Sequence, residues 1–163
     1  MRLRALLATL AAIGLIAAGC GWSPPSAPPT QADTCTAADG PTPDTVKQAT
    51  DALWELTPDS PWIEKARGHA TNCRLYWVQV TTGGASASTP GQVLFFDRNT
   101  SLGPATSEPR PYVNVVTSGG DTVTVQYQWL QGSEASCCPT GIGTVRFQIA
   151  DGKIMALDPI PNS

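Results

Sequence analysis

Along TVTVQYQWLQ (122–131), Val123, Val125, Tyr127 and Trp129 alternate with Thr122, Thr124, Gln126 and Gln128. That is the period of a strand with one buried face. Further strand-like segments occupy the chain after Asn72: RLYWVQV (74–80), QVLFFD (92–97), YVNVVT (112–117), TVRFQI (144–149) and KIMAL (153–157). Ser118-Gly119-Gly120-Asp121 and Asp151-Gly152 separate two pairs of them and read as tight hairpins, since glycine accepts positive φ without a steric penalty. Before Asn72 the period changes. Val46, Ala49, Leu53 and Leu56 recur at helical spacing, with Lys47, Gln48, Asp51 and Glu55 on the other side. Thr42 suits an N-cap, Pro43 the first helical position and Asp44 the first turn, and Pro58 ends the segment. One helix followed by five or six antiparallel strands predicts an α+β fold, with the N-terminal helix packed on one face of a curved sheet.

The first 20 residues follow a different logic. Arg2 and Arg4 precede the uncharged apolar run from Ala5 to Ala18, which is short for a membrane span but suits the core of a signal peptide. Ala17-Ala18-Gly19-Cys20 resembles the bacterial lipobox, with Ala17 where leucine is commonest. Signal peptides of that type are cut before the cysteine, whose sulfur carries a diacylglycerol. Residues 1–19 are therefore expected to be a lipoprotein signal peptide, with Cys20 the lipidated residue. Residues 20–34 form a linker in which Pro24, Pro25, Pro28 and Pro29 favour extended polyproline II, a spacer of about 35–40 Å. Trp22 would sit at headgroup level. Residues 35–163 are long enough for a single domain.

Loss of Arg2 and Arg4 on cleavage takes the formal net charge from −3 to −5. An acidic chain with scattered Lys and Arg argues against nucleic acid and against broad attachment to anionic lipid. The expected partners are the membrane, through the N-terminal lipid, and an envelope ligand or protein, with the domain on the outer face of the cell membrane.

That compartment is oxidising, and with Cys20 alkylated the even set Cys35, Cys73, Cys137 and Cys138 is expected in two disulfides. Neighbouring Cα atoms lie about 3.8 Å apart, below the usual disulfide span. Adjacent side chains on an extended segment also point to opposite faces. Cys137 and Cys138 are therefore expected to bond separately to Cys35 and Cys73, in an order the sequence leaves open. Metal binding by these thiols lacks the CxxC spacing of zinc sites.

TNCRLYWVQV, PGQVLFF, GPATSEP, DTVTVQYQWL, EASCCPTG and LDPIP together resemble the LppP/LprE family of actinobacterial lipoproteins, from about Cys35 to Pro161. The resemblance implies an exported, lipid-anchored, disulfide-bearing envelope domain, and no established reaction.

Catalytic machinery is sparse. His69 is the single histidine, no G-x-S-x-G elbow is present, and Gly141-Ile142-Gly143 lacks the third glycine of a dinucleotide loop and leads into a strand. No cofactor, metal or catalytic residue is expected. Glu108 and Glu134 lie in connections near Arg110 and the cysteine pair, and with Tyr127 or Trp129 as a stacking surface they outline a candidate ligand site. Two functions follow: a non-catalytic binding or accessory module, and, as the alternative, a carboxylate-dependent hydrolase of envelope polymers, which needs two acids about 5–10 Å apart.

Overall fold

A computed structural model describes residues 33–53, 61–83, 86 and 88–161. Asp33–Ser163 forms one compact unit. The signal segment, Cys20, almost all of the proline-rich linker, Glu55, Leu56 and Pro58 lie outside the described residues.

Helix α1 (Pro43–Asp51) begins as its residues dictate, with the Thr42 hydroxyl accepting from the Thr45 N–H at 3.3 Å and Pro43 at the first helical position. Among the described residues eight strands follow: β1 (Trp62–His69), β2 (Leu75–Thr82), β3 (Gly91–Asp97), β4 (Thr100–Pro104), β5 (Asn114–Gly119), β6 (Thr122–Trp129), β7 (Gly141–Ala150) and β8 (Lys153–Ala156). They do not form one curved sheet. They form two four-stranded antiparallel meanders, β1-β2-β3-β4 and β5-β6-β7-β8, so the fold is mostly β, and the expected α+β arrangement is corrected.

Two strands escaped the sequence pattern for physical reasons. β1 is an edge strand whose residues are mostly exposed or half-buried, so WIEKARGH carries no alternating apolar signal. β4 is short and also at an edge, and TSLGP contains Gly103 at φ 98° and a terminal proline. The chain changes sheets between Pro104 and Asn114.

The two sheets face one another across a core in which Leu75, Val93 and Phe95 meet Val123, Val125, Tyr127, Val145 and Phe147. The rings of Phe95 and Phe147 lie 4.9 Å apart. Helix α1 covers the other face of the first sheet, placing Val46 and Ala49 on Tyr76, Val78, Val80, Leu94 and Phe96. β2 and β3 are thus buried on both faces, which explains their near-continuous apolar runs. β6 alternates because its outer face remains open to solvent.

The cysteine pairing also differs from expectation. Cys35 is bonded to Cys73, and Cys137 to Cys138 across 3.8 Å between Cα atoms. The cross-pairing fails for a geometric reason. Cys35 lies beside Ala70 and Thr71 next to the β1–β2 turn that carries Cys73, whereas the 137–138 loop is attached to Tyr112, through its hydroxyl bond to Ser136.

Candidate functional site

The connection between the sheets, residues 105–113, is strapped to the first sheet by buried amides. Gln92 donates to the Thr106 carbonyl at 2.8 Å and accepts from the Thr106 hydroxyl at 3.3 Å. Gln79 donates to the Val113 carbonyl at 2.9 Å. Between these anchors Gly91 and Arg110 exchange both backbone hydrogen bonds at 2.9 Å. Such bonds inside a low-dielectric interior fix the strap firmly. The strap therefore delivers Glu108, Pro109, Arg110, Pro111 and Tyr112 to a defined place, against the end of β6.

There they line a cleft of about 390 Å³ with Tyr127, Gln128, Trp129, Leu130 and Pro161. Trp129 can lie flat because its cross-strand partner is glycine. A Cβ on Gly141 would overlap the indole, and one on Gly143 would come within 3.3 Å of Pro161 and 3.5 Å of the same ring. That is the role of the Gly-Ile-Gly run that does not serve as a phosphate loop. Pro161 is held by the C-terminal segment, which Arg146 fastens to β7 through a two-pronged pair with Asp158 at 2.9 Å. The Pro161 carbonyl accepts from Arg110 Nη1 at 2.8 Å.

Tyr127 is only 2 % exposed, and its hydroxyl has no hydrogen-bond partner among the described residues. Burial pushes that phenol up to about 12, so it stays a neutral donor. The Arg110 guanidinium lies 6.0 Å from the Tyr127 ring centroid, within cation–π range. Tyr112 has left-handed backbone (φ 56°) and donates its hydroxyl to the Ser136 carbonyl at 2.6 Å, tying the strap to the cysteine-pair loop.

Of the sequence-predicted candidates, Glu108, Arg110, Tyr127 and Trp129 line this cleft, and Glu134 does not. Glu134 accepts from the backbone N–H groups of Gln131 at 2.8 Å and Thr140 at 3.0 Å, and from the Thr140 hydroxyl. Those bonds, the Thr140 hydroxyl first, hold its carboxyl below the ordinary glutamate range. It closes the loop that carries Cys137 and Cys138. Tyr112, Leu130 and Pro161 were missed by the sequence reading. The Pro-Arg-Pro-Tyr run was the available signal for Tyr112, and nothing local marks Pro161, which arrives from the far end of the chain.

His69 lies elsewhere, its Nε2 3.2 Å from Asp33 Oδ2 and its Nδ1 3.2 Å from the Ala70 carbonyl, with its ring tilted against Tyr76. Asp33, Cys35 and His69 bring ligand-type atoms together, but the Cys35 sulfur is bonded to Cys73 and is no thiolate ligand. Two donors remain, too few for a closed metal site. A second cleft of about 250 Å³ adjoins them, lined by His69, Tyr76 and Trp77 among others. Among the described residues no helix is long and apolar enough to cross a membrane.

Residues 67–152, from within β1 to the β7–β8 turn, match the LppP/LprE lipoprotein family. Proteins of Mycobacterium tuberculosis and Mycobacterium bovis, each named "Putative lipoprotein LppP", are 57 % identical to this chain over 151 residues, which cover 92 % of it and 86 % of each relative. No solved structure matches it. The family pattern and the near full-length relatives agree, and this chain belongs to the LppP/LprE lipoprotein family.

Proposed function

We propose that this lipoprotein is exported, anchored through a diacylglyceryl group on Cys20, and displays on the outer face of the cell membrane a domain that binds a ligand without transforming it. The observation that carries the reading is the cleft between the strap and the end of β6. It combines an apolar, flat-sided lining with a small number of polar groups, the usual composition of a ligand site.

The hydrolase alternative draws less support. It requires two carboxyl groups facing one substrate, and among the described residues Glu108 is the one carboxylate lining the cleft. Glu134 spends its oxygens on the 131–140 loop and is biased toward the ionised form, which suits a loop clamp rather than a proton donor.

Fatty-acid labelling of cells producing the wild type and Cys20→Ala tests the anchor, with label expected only in the wild type. Equal labelling refutes it. Incubation of the purified protein with cell-wall glycans, glycolipids and esters, beside a Glu108→Gln, Glu134→Gln double variant, tests the absence of chemistry. Turnover by the wild type that vanishes in a folded double variant replaces the binding reading with the hydrolase.

A further inference from the structure

The two disulfides differ in what governs their exchange with a thiol. Cys35 and Cys73 are half-buried and 38 positions apart, so reduction of their bridge frees a long stretch of chain. Cys137 and Cys138 are both exposed, and their bridge encloses only the peptide bond that joins them. Their Cα atoms are 3.8 Å apart, where disulfides ordinarily span about 4.4–6.8 Å. Exposed and geometrically constrained bridges are the exchangeable ones. This bridge can open without releasing any element of either sheet.

The bridge is built into a tight turn. The Cys138 N–H donates to the Ala135 carbonyl at 3.0 Å, so Ser136 and Cys137 are the central residues. The carbonyl between those two, that of Ser136, accepts the Tyr112 hydroxyl at 2.6 Å. Tyr112 is a bulky residue in left-handed backbone, φ 56°, a conformation adopted against a steric cost. Glu134 meanwhile accepts from the N–H groups of Gln131 at 2.8 Å and Thr140 at 3.0 Å, which clamps the ends of the loop whatever the state of the sulfurs. A change at the bridge is therefore confined to the turn and to Tyr112, which lines the cleft.

We propose that Cys137–Cys138 is a thiol–disulfide exchange site, opened by an exposed dithiol of a partner protein, and that its opening releases Tyr112 from the wall of the cleft. The exchange stands whether or not the cleft holds a ligand. A thiolate of the partner attacks one sulfur of the bridge, the Cys137–Cys138 bond breaks, and a mixed disulfide forms as the other cysteine leaves as a thiolate. The partner's second thiolate then attacks the partner sulfur of that mixed disulfide, making the partner's own disulfide and expelling the remaining cysteine. Two electrons pass from dithiol to bridge, and the dithiol's two protons end on Cys137 and Cys138. With the ring open, the backbone of both cysteines regains its freedom and the Ser136 carbonyl loses its fixed direction. Tyr112 then gives up the bond that held a costly backbone conformation.

The test uses the mature lipid-bearing chain in nanodiscs, with dithiothreitol as the dithiol. Timed samples are alkylated and mapped by peptide mass spectrometry. Cys137 and Cys138 should become alkylated together, at least about tenfold faster than Cys35 and Cys73. Carbon-13 labelling of the three tyrosines, assigned with Tyr112→Phe, provides the second readout. The Tyr112 ring signal should move on this partial reduction and return on reoxidation, while that of Tyr76, under helix α1, stays in place. The Cys137→Ser, Cys138→Ser chain should show the moved Tyr112 signal from the start and no response to dithiothreitol. Opening of Cys35–Cys73 at an equal or faster rate overturns the exchange site, as does mapping of either adjacent cysteine to Cys35 or Cys73. Alkylation of Cys137 and Cys138 with the Tyr112 signal unmoved overturns the release of Tyr112.

Discussion

Removing the Cys35–Cys73 bridge should cost this domain a large part of its stability, whereas removing the Cys137–Cys138 bridge should cost little. The bonded residues Cys35 and Cys73 are 38 positions apart. In the chain-entropy treatment, closing a loop of that length restricts the denatured chain enough to stabilise the fold by about 4 kcal/mol. A domain of this size has a net stability of about 5–15 kcal/mol, so the bridge is a substantial fraction of it. Contacts on the native side point the same way. The segment after Cys35 brings Gly40 so close to Tyr76 that a Cβ there would stand 2.7 Å from the ring, and the bridge holds that cover in place. Cys137 and Cys138 are neighbours and close no loop, so the same treatment assigns their bridge almost nothing. Urea unfolding of the mature protein, followed by tryptophan fluorescence, compares the wild type with Cys35→Ser, Cys73→Ser and with Cys137→Ser, Cys138→Ser. The first variant should lose about 4 kcal/mol and show a larger m value, as its denatured chain expands. The second should lose less than about 1 kcal/mol. A reversed order, or a first variant within about 1 kcal/mol of the wild type, refutes the reasoning.

Asp158 is held at about 2 chiefly by its side-chain bonds from Arg146. A depressed folded value means the pair contributes above the ordinary carboxylate pKa and is lost as pH falls from about 4 through about 2. Carboxyl-carbon NMR titration should find that midpoint, and a midpoint near 3.8 defeats the assignment. Gly141→Ala should displace Trp129 from the cleft wall and cost about 1–3 kcal/mol, seen as altered near-UV dichroism and a lower melting temperature. Unchanged spectra sink that packing argument. Tyr76 buries a hydroxyl with no partner among the described residues, so Tyr76→Phe should stabilise by about 1 kcal/mol, and a lower urea midpoint rejects that reading.

The elements that announced themselves in the sequence are those whose environment imposes a pattern. β6 faces core and solvent on alternate residues and was visible at once. The Asp151-Gly152 hairpin was equally clear, and both residues take positive φ, at 51° and 70°. In the other hairpin Gly120 alone does so, at φ 57°. The cap at Thr42 formed as its chemistry requires. Sheet membership was invisible, because the break between Pro104 and Asn114 has no period of its own and pairing depends on contacts far apart in the chain. Four of the five proposed ligand-site residues do share one cleft, since the strap of residues 105–113, which carries Glu108 and Arg110, lies against the end of β6, which carries Tyr127 and Trp129. Glu134 was misplaced because its loop folds back on itself, and the direction of that fold depends on Thr140, six residues on.

The Cys35–Cys73 bridge also defines how the domain carries load. Any pull that arrives along the chain from the N-terminal side reaches Cys35 first and passes through sulfur to Cys73, at the beginning of β2. Helix α1 and strand β1 lie inside the covalent ring and off the line of tension. The helix that covers the first sheet is therefore not peeled away by such a pull, and a domain pulled to full extension keeps the residues between the two cysteines out of its contour length. The bridge is a mechanical shunt that directs force to the start of β2, a strand buried on both faces.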